Sequence, residues 1–122
     1  MTVRGALIDA DSGRTVAARI ERADTPFART AGLLGRSRLD DDEGMLFANC
    51  AAVHTLGMRM PIDVVFLDDE GVVVYVEASA RPWRSYVAFP GARTVVELAA
   101  GACARRAIAP QQRLELRWDS ST

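Results

Sequence analysis

Residues 53–77 read VHTLGMRMPIDVVFLDDEGVVVYVE, and the reading of this stretch decides the fold. Val64-Val65-Phe66-Leu67 and Val72-Val73-Val74-Tyr75-Val76 are β-branched and aromatic, the composition that suits a pleated surface. Between them Asp68-Asp69-Glu70-Gly71 ends in the residue that takes a positive φ at no steric cost. The stretch therefore predicts a β-hairpin. Neither run alternates apolar with polar residues. Both faces of each strand should be covered by protein, which predicts a hairpin at the centre of the molecule. Pro61 cannot donate to a ladder, so the first strand starts after it. Arg59 and Asp63 flank that proline and are expected at the mouth of the hairpin.

Outward from the hairpin, the chain offers short apolar runs separated by turn signals. Ala6-Leu7-Ile8 and Thr15 to Ile20 flank Asp11-Ser12-Gly13 and predict a first hairpin. Thr25-Pro26 resembles an N-cap with proline at the first helical position; Phe27, Ala31 and Leu34 follow at helical spacing, and Gly35 ends the helix. Met45-Leu46-Phe47, Val53 to Leu56 and Thr94 to Leu98 predict further strands. Ala99 to Ala107 is alanine-rich and predicts a second short helix. Leu114, Leu116 and Trp118 alternate with Glu115 and Arg117, the pattern of a half-exposed last strand. Many short strands with two helical insertions predict a mainly β, barrel- or sandwich-like antiparallel sheet over a single domain, 1–122.

Composition excludes several chemistries. The chain has 122 residues and a net charge of -1, without the electrostatic bias that nucleic acid or anionic membrane would demand. All 15 basic residues are arginine, so no Schiff-base or P-loop lysine exists. No GxGxxG or Walker pattern occurs, and no cofactor is expected. Cys50 and Cys103 are too sparse for a disulfide framework and read as free thiols. The N-terminus lacks the features of a signal peptide, and no apolar stretch is long enough to span a bilayer, so the expected compartment is the cytoplasm.

Two loops carry charge. The run Asp40-Asp41-Asp42-Glu43 lacks the alternating ligands and glycine turn of a calcium loop and reads as solvated. In Arg81-Pro82-Trp83-Arg84-Ser85-Tyr86, arginines beside aromatics could bind an anionic or aromatic ligand. The simpler reading is a loop pinned to the body by its aromatics, since large aromatics usually bury.

His54 is the only histidine. A metal site would need partners, and neither a Cys-x-x-Cys nor a second histidine is present; no metal is expected. As a general base, His54 could pair with Cys50, Cys103 or Ser85 and be oriented by Asp63. As a structural residue it could still line a pocket. Glu97 interrupts the apolar run Val95-Val96-Glu97-Leu98. An unpaired buried carboxylate is costly, so Glu97 and Asp63 should either pair with Arg59 or share with it the wall of a polar cleft.

The set Gly32-Leu33-Leu34-Gly35-Arg36, then Gly44-Met45-Leu46-Phe47, then His54 to Asp68, then Val96 to Gly101, resembles the bacterial and archaeal domain-of-unknown-function family 192 over about Val16 to Leu116. The resemblance implies a compact, mainly β domain with short helices and brings no established activity. It places the family's polar positions on Arg36, Thr55, Arg59, Asp63, Glu97 and Gly101. Many members carry two aromatics before the motif methionine, where this chain has Leu56 and Gly57. A Gly-Asp pair common before the last strand is Gln111-Gln112 here.

The function expected from these readings is a non-catalytic binding or interaction module. A small cleft lined by His54, Thr55, Arg59, Asp63, Glu97 and Arg36 would hold a small polar ligand or a partner's peptide. The alternative is a small hydrolase-like enzyme with His54 as base and Asp63 and Cys50 as its partners.

Overall fold

The computed structural model describes residues 3–23, 36–86 and 90–119. The fold is mainly β, a sheet curled into a half-barrel. Among the described residues seven strands form the main sheet: β1 (Val3–Asp9), β2 (Thr15–Arg22), β3 (Glu43–Ala48), β5 (Ile62–Leu67), β6 (Val73–Ala80), β8 (Thr94–Ala99) and β9 (Leu114–Trp118), in the order β6-β5-β8-β3-β2-β1-β9. The two-residue strands β4 (Val53–His54) and β7 (Ser85–Tyr86) pair in a separate small sheet. Among the described residues there is one helix, α1 (Ala102–Arg105). The helix expected over Thr25 to Leu34 lies outside the described residues.

Both predicted hairpins form, β1 with β2 and β5 with β6. The second closes as its residues dictate. Asp68 Oδ1 accepts the N–H groups of Glu70 and Val72 at 2.8 and 2.9 Å, and Gly71 sits at φ 83°. The aspartate thus holds its own turn, and glycine supplies the left-handed step.

Three expectations are corrected. The β5–β6 hairpin is not central: β6 is one of the two edge strands, and the middle of the sheet is β3. β5 is buried along its whole length, whereas β6 is half exposed, with Tyr75 facing solvent. A continuous apolar run marks β6 in the sequence, but an edge strand with β-branched residues carries the same signal as a buried one. The sheet is also not wholly antiparallel, because β2 and β3 run parallel. The alanine-rich segment gives four residues of helix rather than nine; Ala99 belongs to β8, and Gly101 at φ 85° breaks the chain before α1 starts.

The free corner of β6 is tied back to the far end of the sheet. Val72 bridges Arg113, Leu114 N–H donates to the Gly71 carbonyl at 2.8 Å, and Gln111 N–H donates to the Val73 carbonyl at 2.8 Å. The two ends of the strand order therefore meet at one corner, which is what curls the sheet.

Each face of the sheet buries its own core. On the first face lie Leu7, Ile20, Leu46, Val65, Val96 and Leu98, packed with Cys103 of α1, Ile108 of the loop that follows it and Leu114 at the start of β9. On the second face lie Phe47, Ile62, Val64, Phe66 and Val95, packed with Met58 and Met60. Burial on both faces explains why β5 and β8 read as unbroken apolar runs. No helix among the described residues is long and apolar enough to cross a membrane.

Candidate functional site

The residues expected to share one cleft fall into separate places. Asp63 on β5 is registered opposite Leu98, and Glu97 on β8 is registered opposite Val64 and Met45. Side chains alternate along each strand. Asp63 therefore joins the first face, with Val65 and Leu67, while Glu97 joins the second, with Val64 and Val95. The single hollow lined by Arg59, Asp63 and Glu97 does not exist, because the sheet itself lies between the two acids.

Asp63 is 0 % exposed and fully engaged by backbone. Its Oδ1 accepts the N–H groups of Ser79 at 2.8 Å and Gly101 at 3.0 Å, and its Oδ2 accepts that of Cys103 at 2.9 Å. Gly101 is the N-cap of α1 and has no side chain with which to cap it. Asp63 performs that capping from across the fold and also holds the end of β6, where Ser79 turns to φ 50°. Burial, with the neighbouring Asp63 carboxylate adding to it, pushes the Cys103 thiol up to about 12.

The hydrolase-like set is not assembled. The oxygens of Asp63 go to three backbone N–H groups rather than to an imidazole. His54 is exposed and its Nδ1 accepts the Leu56 N–H at 3.3 Å. The Cys50 thiol donates to the Ala52 carbonyl at 3.1 Å. Ser85 lies opposite His54 in the β4–β7 register. Arg36 pairs with Glu43 at 3.1 Å beside a cavity of about 200 Å³ whose lining includes Arg4, Arg19, Glu21 and Met45. That cavity includes none of the other expected site residues, and its charges are largely spent on one another, Arg4 with Glu21 and Arg19 with Asp40 and Asp42. The acidic run is likewise not merely solvated. Asp41 takes both Nε and an Nη of Arg105 at 2.6 Å, so the loop docks on α1, and the guanidinium holds the Asp41 carboxyl below the usual range.

What the fold does bring together is His54, Thr55 and Arg59 with the turn Arg81-Pro82-Trp83-Arg84. Thr55 is 0 % exposed and is the clamp. Its hydroxyl donates to the Arg81 carbonyl at 2.6 Å and accepts the Arg84 N–H at 3.0 Å, which inserts it into the bond that would close the turn. Its own N–H donates to the Arg84 carbonyl at 2.8 Å, and its carbonyl accepts the N–H groups of Trp83 at 2.8 Å and Met58 at 3.1 Å. The last bond closes a second turn, Thr55 to Met58, in which Gly57 sits at φ 81°.

Trp83 follows a proline at φ 63°, the place in such a turn that glycine ordinarily fills. It is 69 % exposed, and Leu56, at the tip of the facing turn, is 45 % exposed. The loop is thus not pinned by its aromatics; a buried threonine pins it and leaves the tryptophan in solvent. Arg81 and Arg84 flank Pro82-Trp83 in the same turn and are exposed, and Arg59, also exposed, directly follows the facing turn. Arg59 and Arg84 form no ion pair among the described residues. The signal for this surface was present in the sequence as Pro82-Trp83, because proline at the second place of a turn puts the next side chain at its tip.

Comparison with known proteins gives a family and no activity. A family profile described as DUF192, uncharacterized ACR, matches residues 7–116. A UPF0127 protein of Thermococcus sibiricus is 33% identical over 99 residues, which are 78% of this chain and 64% of that protein, so the chain spans somewhat less than two thirds of the relative's length. A solved structure from Sinorhizobium meliloti, described as a proposed transcription regulator, is 30% identical with a TM-score of 0.79 and covers 95% of this chain and 94% of its own. A protein of unknown function from Novosphingobium aromaticivorans is 28% identical with a TM-score of 0.74, covering 94% of this chain and 84% of its own. The profile match extends from β1 to β9, and on that ground the chain belongs to the uncharacterized DUF192 family.

Proposed function

We propose that this chain is a non-catalytic interaction module that captures an acidic, partly apolar peptide segment of a partner protein on the ridge formed by Leu56 and Trp83. One observation carries the reading: a large aromatic is held in solvent, at a backbone angle that costs about 1–2 kcal/mol for a residue with a Cβ, by a buried threonine that spends its polar atoms on that turn. Exposed tryptophan and arginine are the residue types that dominate contact energies at protein interfaces. Arg59 and Arg84 are exposed and form no ion pair among the described residues, which favours an acidic partner through charge complementarity. Rigid presentation lowers the entropy lost on binding. A cytoplasmic location is part of the proposal, supported by the free thiols of Cys50 and Cys103, which suit a reducing compartment.

The test uses tryptophan emission. Trp118→Phe leaves Trp83 as the sole tryptophan. Titration with a capped peptide alternating glutamate and leucine should shift that emission to the blue, and the same peptide with lysine for glutamate should not. Equal responses to both peptides, or none to either, would reject an acidic-peptide surface here.

A further inference from the structure

Glu97 is 6 % exposed, in the middle of the sheet, on the face opposite Asp63. Its neighbours across the ladder are Met45 and Val64, and along its own strand Val95. Among the described residues no hydrogen bond or ion pair reaches its carboxylate. No fully buried side-chain oxygen among those residues is without a partner, so both Glu97 oxygens retain contact with solvent through the small exposed area. The carboxylate is therefore reached only through that small exposed area, between apolar neighbours on β3, β5 and β8. The two buried acids of the sheet are thus treated in opposite ways: Asp63 is saturated with donors, and Glu97 is given none. Burial alone pushes the Glu97 carboxyl up to about 7. A fold that keeps an unpartnered acid inside an apolar face gives up stability there, and such local conflicts cluster at sites of function.

We propose that Glu97 is the receptor for a primary ammonium group borne on a slender apolar chain, which enters over the second face of β3, β8 and β5 and supplies the ion pair that the protein itself withholds. The chemistry of the surroundings selects this class. A lone carboxylate balances one positive charge, and no group of three or more His, Cys, Asp or Glu side chains among the described residues could hold a metal ion. A neutral donor would leave the buried charge uncompensated. A planar guanidinium pairs best through a two-point fit, which needs more open surface than a residue 6 % exposed presents. Met45, Val64 and Val95 offer an apolar wall to the chain behind the ammonium, and methionine adapts to its shape. These 122 residues contain no lysine, so no side chain among them can supply the ammonium. The other charged or titratable groups on this face are Arg19 and Glu21 on β2, Glu43 on β3, and Tyr75 and Glu77 on β6; Glu43 pairs with Arg36 and Arg19, Glu21 pairs with Arg4, and the Tyr75 hydroxyl donates to Glu77 at 2.9 Å, with Val64 lying between Glu77 and Glu97. β5 and β8 bring no other titratable group to this face. The site is separate from the Trp83 ridge and stands or falls independently of it.

Thermal unfolding of the whole chain with n-butylammonium chloride tests the proposal, with n-butanol and sodium butyrate as controls and a capped Gly-Lys-Gly peptide as a second amine. At pH 8 butylammonium should raise the Tm of the wild type by several degrees and leave Glu97→Gln and Glu97→Leu unmoved. At pH 5.5, where the carboxyl is protonated, the wild-type shift should shrink by at least half. Carbon-13 spectra of labelled glutamate should show the Glu97 titration midpoint falling when the amine is added. Butanol and butyrate should do neither. Response to butylammonium alone identifies a free amine as the ligand; a larger response to the peptide identifies a partner's lysine; both support an ammonium receptor. Equal shifts in wild type and Glu97→Gln, or no shift of Tm and no movement of the Glu97 resonance with either amine, would overturn it.

Discussion

Asp63 and Glu97 occupy neighbouring positions on paired strands, with Val64 facing Glu97 and Asp63 facing Leu98, yet they point to opposite faces of the sheet. One residue of offset in the ladder gives them opposite fates. Asp63 meets the turn into α1 and accepts three backbone N–H groups; Glu97 meets methionine and valine and accepts none.

Removing the Asp63 carboxylate should be among the most damaging changes available. Asp63→Ala leaves the N–H groups of Ser79, Gly101 and Cys103 without their acceptor in the interior, and should cost about 4 kcal/mol or more. Asp63→Asn should cost less, because the amide oxygen can keep the bonds now made by Oδ1 while its NH₂ faces the Cys103 N–H. Urea unfolding of the three proteins gives the order wild type, Asn, Ala; an Asn variant as stable as wild type would show that charge is not needed.

Glu97 should act in the opposite sense, and its effect should depend on pH. Burial raises its carboxyl in the folded state to about 7 from the ordinary glutamate value of 4.5. Between those values the folded state retains a proton that the unfolded state has lost, so this group lowers stability as pH rises from about 4.5 to 7. Above 7 the penalty is complete, on the order of 3 kcal/mol. Glu97→Gln should therefore be more stable than wild type at pH 8 and nearly equal to it at pH 4. A gain at pH 4 as large as that at pH 8 would mean that packing, and not ionisation, is responsible.

Thr55 holds the turn that carries Trp83. Thr55→Val removes the hydroxyl from between the Arg81 carbonyl and the Arg84 N–H and should cost about 2 kcal/mol, while Thr55→Ser should cost under about 1 kcal/mol. Limited trypsin digestion should then cut after Arg81 or Arg84 faster in the valine variant than in the serine variant. Equal cutting would mean that the backbone bonds of Thr55 hold the turn without the hydroxyl.

Trp83→Gly should separate stability from binding. Glycine at φ 63° removes the backbone strain, which favours the variant by about 1 kcal/mol, and the exposed ring contributes little packing in return. The variant should melt at or above the wild-type temperature and fail to bind the acidic peptide in a calorimetric titration. A glycine variant that melts well below wild type would assign the ring a packing role instead.

The two thiols should react at very different rates in the native state. Cys103 is buried and its thiol is raised to about 12, whereas Cys50 is half-buried beside the Ala52 carbonyl. Iodoacetamide at pH 8, followed by peptide mass analysis, should modify Cys50 first, with Cys103 labelled only on unfolding.

Much of the secondary structure was written locally. Asp68 to Gly71 specify their turn through an aspartate that bonds its own backbone and a glycine in the left-handed region, and both act within five residues. Alternation of Leu114, Leu116 and Trp118 with charged residues marks β9 because one side of that strand is wet. The tip position of Trp83 was also legible from Pro82, although the habit of aromatics to bury argued the other way. The cleft was not legible. Arg59, Asp63 and Glu97 share no local signal that says which face each takes.

The sequence by itself determined where strands and turns form, which residues are apolar enough to bury, and that neither lysine chemistry nor a glycine-rich phosphate loop is available. Tertiary structure alone decided that β6 lies at an edge, that β2 and β3 run parallel, and that the two buried acids are divided by the sheet. The reason is that alternation fixes the faces of residues within one strand only. Relating one strand's faces to another's requires the ladder register, and here that register joins positions such as Asp63 and Leu98 far apart in the chain.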